Sequence, residues 1–140
     1  MRRLFDASVL VAAFSREADS AQALTMLTAD PSPVVNSLGL AETRIALIRK
    51  RKRSEMTSSE CQSALDELQQ ALDDGFLSMV PQPEAMWDEA VTIAARVAVH
   101  LRTQDALHAA CAKLNSIGLA TFDHDLATSG RFEGLDVIPK

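Results

Sequence analysis

Residues 118–127 read GLATFDHDLA. The apolar run stops at Asp123, and a second acid, Asp125, follows on the far side of His124. Asp is disfavoured inside strands and helices but suits the first turn of a helix, where it caps free N–H groups and faces the positive end of the dipole. The stretch therefore reads as a strand, GLATF, ending on a carboxylate. The same arrangement stands near the start of the chain, where the strand RRLF (2–5) runs directly into Asp6. Turn chemistry explains each acid singly, but its recurrence at another element end calls for a further reason.

Working outward, helical and strand-like segments alternate. ASVLVAAFS (7–15) and ADSAQALTMLTA (18–29) are helical by their Ala, Leu and Met content, and PSPVVNS (31–37) is a short strand opened by prolines. A helix is expected from about Leu38 to Arg51 with Ser37 as its cap. A second follows over TSSECQSALDELQQALDDG (57–75), with Thr57 or Ser58 as N-cap and Gly75 as its stop. FLSMV (76–80) suggests a strand, Pro83 to about Val99 and Thr103 to Ser116 suggest helices, and DVIP (136–139) suggests a last strand. Strands separated by helices imply an α/β fold, a mainly parallel central sheet flanked by helices on both faces. Ligands of such sheets sit at the carboxyl ends of the strands.

With 140 residues and 47% apolar composition, the chain fits one domain, 1–140, and leaves no room for a linker. Cys61 and Cys111 lie far apart in helical surroundings without zinc spacing, which suggests buried thiols in a reducing compartment. Met1-Arg2-Arg3 precedes an apolar run, but Asp6 interrupts it, and no stretch approaches the roughly 20 apolar residues needed to span a bilayer. A cytoplasmic protein with no membrane partner is the expectation. A net charge of −5 would oppose a polyanionic partner if evenly spread, yet Arg49-Lys50-Arg51-Lys52-Arg53 form a basic run.

The acids fall on this frame in a pattern. Asp6 and Asp123 end strands, and Asp105 opens the helix TQDALHAACAKL three residues before His108. Glu42 falls within the apolar stripe Leu38, Ala41, Ile45 and Ile48 of its helix, where a carboxylate is out of place unless the stripe ends at a cleft. Each has a bland account as a cap, a dipole partner or a snorkelling side chain. Together they are four carboxylates from separate segments expected at one sheet edge. Two carboxylates about 5 Å apart repel by roughly 3 kcal/mol at an effective dielectric near 20, so such a cluster requires a cation or a proton. An all-oxygen set suits Mg²⁺ or Mn²⁺, and the chemistry that follows is metal-assisted hydrolysis of a phosphodiester.

LFDASVLVA (4–12), LAETRIAL (40–47), TQDALHAACA (103–112) and LATFDHDLA (119–127) resemble, in order and spacing, the four signature segments of PIN-domain ribonucleases, particularly VapC-type toxins of bacterial toxin–antitoxin pairs. The resemblance covers essentially the whole chain. It implies a three-layer α/β/α fold and an acidic Mg²⁺ or Mn²⁺ site cutting RNA, with Asp6, Glu42, Asp105 and Asp123 as the catalytic and metal-binding quartet. By position, Ser8 matches a hydroxyl that holds the first acid or a metal water. Asp125 matches a frequent extra acid, which either supports the site or merely starts a helix. The resemblance also implies a small antitoxin partner and a homodimer.

Other readings stay open at this point. TFDHDLA also resembles the D-x-D opening of haloacid-dehalogenase phosphatases, although that motif begins a domain and here 15 residues follow Asp125. A response-regulator receiver needs a Lys after a late strand, where this chain has Asp123. A PIN-like RNA-binding or scaffold module without catalysis would normally lack an acid. His108 either donates to a carboxylate or is a satisfied core histidine, His124 is expected to face solvent, and His100 carries no signal. Arg49, Arg51 and Arg53 either end a helix in solvent or track an RNA backbone about 10 to 17 Å along the helix from Glu42. With 4% aromatic residues and no Tyr, base stacking would contribute little.

Overall fold

The computed structural model describes residues 2–140; Met1, the first residue of the expected 1–140 domain, lies outside the described residues. In chain order the elements are β1 (Arg3–Phe5), α1 (Ala7–Phe14), α2 (Ser20–Ala29), β2 (Val34–Val35), α3 (Ser37–Lys52), α4 (Ser58–Asp73), β3 (Ser78–Met79), α5 (Met86–Arg96), α6 (Thr103–Leu114), β4 (Gly118–Ala120), α7 (His124–Phe132) and β5 (Val137–Ile138). All five strands are parallel, in the order β3-β2-β1-β4-β5. The sheet expected to be mainly parallel is thus wholly so among the described residues.

Side-chain alternation along the short strands splits the core into two layers. Leu4, Val34, Leu119 and Val137 pack on one face with Met86, Ala90 and Ile93 of α5, Ala109 and Ala110 of α6, and Leu126 of α7. Phe5, Val35 and Ala120 pack on the other with Val9 and Leu10 of α1, Leu27 of α2 and Leu68 of α4. Both faces of β2, β1 and β4 are buried, so these strands read as apolar runs rather than alternating ones, whereas Met79 of edge strand β3 is exposed. Helix α7 lies close on the sheet because Gly130 has no Cβ; one there would stand 2.8 Å from Leu119 Cδ1. Among the described residues no helix is long and apolar enough to cross a membrane. Cys61 and Cys111 are free and buried, as expected.

Capping follows the sequence closely in α4, where Thr57 and Glu60 close a capping box, and less closely in α3. The expected cap of α3, Ser37, is instead its first helical residue. Asn36 takes the cap, its Oδ1 accepting the Gly39 N–H at 2.7 Å. The buried face of α3 also differs from the apolar stripe expected at Leu38, Ala41, Ile45 and Ile48. Gly39, Thr43 and Leu47 are buried, whereas Ile45 is 48% exposed. The cause is close packing by small or internally satisfied residues. A Cβ on Gly39 would press on Val35 Cγ2 at 3.3 Å, and the Thr43 hydroxyl bonds the Gly39 carbonyl at 2.7 Å. Glu42 consequently stands beside the buried face rather than within an apolar stripe.

Candidate active site

β1 and β4 are central neighbours whose connections leave in opposite directions, toward β2 and toward β5. This is a topological switch point, and the crevice beyond the carboxyl ends of these strands is where such sheets bind ligands. Asp6 stands there, 5% exposed, at the end of β1. It caps α1, accepting the Val9 N–H at 3.3 Å, so the capping account of its place is correct as far as it goes. Two hydroxyls bind it more closely: Ser8 Oγ donates to Oδ1 at 2.5 Å and Thr121 Oγ1 to Oδ2 at 2.6 Å. Burial pushes the Asp6 carboxyl above its ordinary pKa, and the Ser8 and Thr121 hydroxyls and the neighbouring His108 oppose that rise.

Helix α6 precedes β4 and runs back across the sheet, so its first turn lies at the same carboxyl edge. It carries Asp105, which is buried. Burial raises this carboxyl too; the charge of Asp123 adds to the rise, and the Arg102 guanidinium opposes it. Asp123 caps α7, with Oδ1 accepting Leu126 N–H at 2.9 Å. Arg102 spans the two acids, Nε to Asp105 Oδ2 at 3.1 Å and Nη2 to Asp123 Oδ2 at 3.2 Å. Its own pKa is raised, first by the Asp105 hydrogen bond, with Asp123 and Glu42 contributing through their charge. Its side chain is 64% exposed, so this fork lies at the mouth of the crevice.

Glu42 joins from the second turn of α3. His108 Nε2 lies 2.5 Å from Glu42 Oε1, and His108 Nδ1 lies 3.3 Å from Asn36 Nδ2. His108 is therefore both of the things the sequence allowed, a buried histidine and a partner of a carboxylate. Ser8 lies within the same network, accepting the Phe122 N–H at 2.9 Å. Asp125 is half-buried in the first turn of α7 and makes no side-chain hydrogen bond or ion pair with another described residue, and His124 and His100 are exposed.

Arg49, Arg51 and Arg53 are exposed at the far end of α3, while Lys50 is tied to Glu17 at 2.7 Å. At about 100° per residue, Arg49 and Arg53 fall on the same side of the helix as Glu42, and Arg51 on the opposite side.

Among the described residues, no group of three His, Cys, Asp or Glu side chains stands close enough to enclose a metal ion. The carboxylates are held by their own hydrogen bonds, and Arg102 spans two of them. The donor set nevertheless fits Mg²⁺ or Mn²⁺. It is all oxygen, two of its members are desolvated carboxyls of raised pKa, and a cationic group of the chain already stands between Asp105 and Asp123.

Three residues that matter here carry no distinct signal in the sequence. Thr121 reads as an ordinary β-branched strand residue, and Arg102 as a residue between two helices. Asn36 stands beside Ser37, an equally good cap by type.

The profile of the PIN domain family matches residues 3–130. Among solved structures, a protein from Pyrobaculum aerophilum superposes with a TM-score of 0.71 at 19% identity, covering 99% of this chain and 90% of that one. The Mycobacterium tuberculosis toxin VapC20, described as cleaving the sarcin–ricin loop, superposes with a TM-score of 0.71 at 16% identity over 93% of this chain and 95% of that one. A chain of a toxin–antitoxin complex from Klebsiella pneumoniae gives a TM-score of 0.58 at 19% identity over 86% of each. At these identities the likeness is one of fold. Among curated proteins no relative matches the chain.

Proposed function

The chain belongs to the PIN domain family, and from that premise we propose that residues 1–140 form one metal-dependent endoribonuclease, the toxin of a bacterial toxin–antitoxin pair. The observation that carries the activity is the set of contacts beyond the ends of β1 and β4: the Thr121 hydroxyl joins Asp6 to Asp123, Arg102 joins Asp123 to Asp105, and His108 holds Glu42. Carboxyls so placed are poorly stabilised by solvent and form a site for a divalent cation. The fold it shares with the VapC20 toxin and the Klebsiella pneumoniae complex supports the toxin assignment. With it come RNA as substrate, a small antitoxin as partner, a homodimer and a cytoplasmic location.

Each residue has a part in this reading. Ser8 and Thr121 hold the two oxygens of Asp6 in place. Asp123 is oriented by its cap contact with Leu126 N–H, which leaves Oδ2 facing the crevice and Arg102. Mg²⁺ or Mn²⁺ bound to the quartet supplies an activated water and Lewis-acid stabilisation of the phosphoryl group. Arg49 and Arg53, on the Glu42 side of α3, meet the phosphates of the bound strand, and Asp125 supports the acids from beside them. All four acids are present, which favours catalysis over a binding-only module. Membership of the PIN family sets aside the phosphatase reading.

The test is cleavage of RNA by purified protein with Mg²⁺ or Mn²⁺, its loss in EDTA and its return when metal is restored. Cleavage that persists under chelation would overturn the metal-dependent reading. RNA binding without cleavage at any metal concentration would favour the non-catalytic one.

A further inference from the structure

The contacts around His108 determine which of its ring nitrogens carries the proton, and the determination begins at a helix cap. The Gly39 backbone N–H is a donor, so the Asn36 side-chain atom 2.7 Å from it must be the carbonyl oxygen. The Asn36 amide nitrogen then faces His108 Nδ1 at 3.3 Å. An NH₂ group only donates, so Nδ1 is the acceptor and the ring proton sits on Nε2. Nε2 is 2.5 Å from Glu42 Oε1, which accepts it. Turning the amide over would set donor against donor at Gly39, so the cap of α3 fixes the whole chain of contacts. Asn36 and His108 are 0% and 2% exposed, so water does not offer substitutes.

The packing is shaped for this arrangement. A Cβ at Gly39 would stand 3.1 Å from Asn36 Oδ1 and 3.5 Å from His108 Cε1, so glycine leaves the room in which amide and imidazole lie against α3. Nothing in the capping of a helix requires a histidine from α6, and nothing in core packing requires a chain of contacts that ends on a half-exposed carboxylate.

We propose that Asn36 and His108 are positioning residues for Glu42: the α3 cap sets the Asn36 amide, the amide sets the His108 tautomer, and the Nε2–H holds the Glu42 carboxylate toward the crevice. This rests on Glu42 being a metal ligand as proposed above. A histidine that donates one N–H to a carboxylate while its other nitrogen is fixed by a second partner limits the rotamers of both.

Glutamine places its amide NH₂ where histidine has Nε2, and asparagine can place its carbonyl Oδ1 near the position of Nδ1. His108→Gln therefore keeps a donor for Glu42, and His108→Asn loses it while still accepting from Asn36. Three measurements test the proposal: nitrogen-15 NMR of the imidazole in metal-free wild type, Mn²⁺ binding by calorimetry, and single-turnover RNA cleavage at saturating RNA. The expected result is the Nε2–H tautomer in wild type and also in Asn36→Ser, where the Glu42 carboxylate still accepts that proton. Mn²⁺ binding should be weaker in this variant, which keeps a capping oxygen and removes the donor that fixes the ring at Nδ1. Mn²⁺ affinity and cleavage should fall about 10- to 100-fold in His108→Asn and stay within a few-fold of wild type in His108→Gln. An Nδ1–H tautomer in wild type, or equal losses in the Gln and Asn variants, would overturn the proposal. Thermal melting shows whether either variant is folded, and the NMR result on wild type decides the tautomer even if neither is. Failure of the ribonuclease reading would look different: no cleavage by any form, with the tautomer and the Mn²⁺ ranking intact.

Discussion

Thr121 Oγ1 donates to Asp6 Oδ2 at 2.6 Å and on the same oxygen accepts the Asp123 N–H at 2.9 Å. One hydroxyl thus fixes two acids that follow neighbouring strands, Asp6 directly after β1 and Asp123 at the cap of α7 three residues beyond β4, just past the backbone bond from Asp6 N–H to Ala120 carbonyl. A strand-end threonine at the switch point makes the spacing of these acids a property of the sheet rather than of flexible loops.

Thr121→Val keeps the shape and removes both contacts. Asp6 Oδ2 then loses its donor in a buried place, and Asp123 loses the acceptor for its N–H. Losses from outer-shell partners of metal ligands run to about 10- to 100-fold, and that is the fall expected in Mn²⁺ affinity and in cleavage. Thr121→Ser should recover most of both. Wild-type binding by the valine variant, measured calorimetrically, would show that the sheet backbone alone positions the acids.

Asp6→Asn should reduce cleavage by more than the roughly 100-fold typical of an outer-shell partner, yet not destabilise the metal-free fold. The amide introduced by this substitution can accept from Ser8 and Val9 through its oxygen and donate through its NH₂ to the Thr121 hydroxyl. That hydroxyl oxygen has two lone pairs, so it can take this donor and keep the Asp123 N–H. The sign of the pH effect follows from burial. Asp6 has a folded pKa raised above its unfolded value of about 3.9. The folded state therefore holds this proton more tightly, and the associated stability is complete below the unfolded pKa and is lost as pH rises toward the folded one. Thermal melts of metal-free protein should show a shallower fall across that window for the variant, and equal or greater stability above it. A variant much less stable near neutral pH would mean that the charged cap of α1 outweighs desolvation.

The order of strands and helices was legible because Pro, Gly and cap residues punctuate it, and because Asp6 directly follows β1; the strand expected to run to Phe122 stops at Ala120, and Asp123 instead caps α7. What escaped the sequence was decided across elements. The exposed place of Ile45 depends on Gly39 and Thr43 packing where larger residues were expected. The role of Asn36 depends on His108, 72 residues away. Arg102 gains meaning only when α6 brings Asp105 beside Asp123, which no local spacing reveals. The stretch after Phe122 reads in the sequence as turn and helix start, and it continues as the full helix α7.

Arg102→Gln should raise divalent-metal affinity. Its guanidinium holds Asp105 and Asp123 and places a positive charge where an incoming cation must approach. Because the side chain is 64% exposed, solvent screens the effect, and exposed ion pairs of this kind contribute at most about 1 kcal/mol. The expected tightening of Mn²⁺ binding is therefore roughly two- to fivefold, larger at low ionic strength. Weaker Mn²⁺ binding in the variant would show instead that Arg102 organises the acids for the metal.

The basic run offers a prediction with an internal control. Arg49 and Arg53 share the Glu42 side of α3, about 10 to 17 Å along the helix, whereas Arg51 faces the opposite way. A strand threaded over the acids can meet the first two but not the third. Each single-strand phosphate contact contributes about 0.7 to the slope of log affinity against log salt. Replacing Arg49 and Arg53 together with Gln should flatten that slope by about 1.4, while Arg51→Gln leaves it unchanged, and Gln retains helix propensity in every case. Single-turnover cleavage at saturating RNA should hardly change, because these side chains lie two or more helical turns from Glu42. If Arg51→Gln flattens the slope as much per charge as the paired replacement does, the run acts as a diffuse charge rather than a track. If none does, its exposed arginines serve the helix end or the contact with a protein partner.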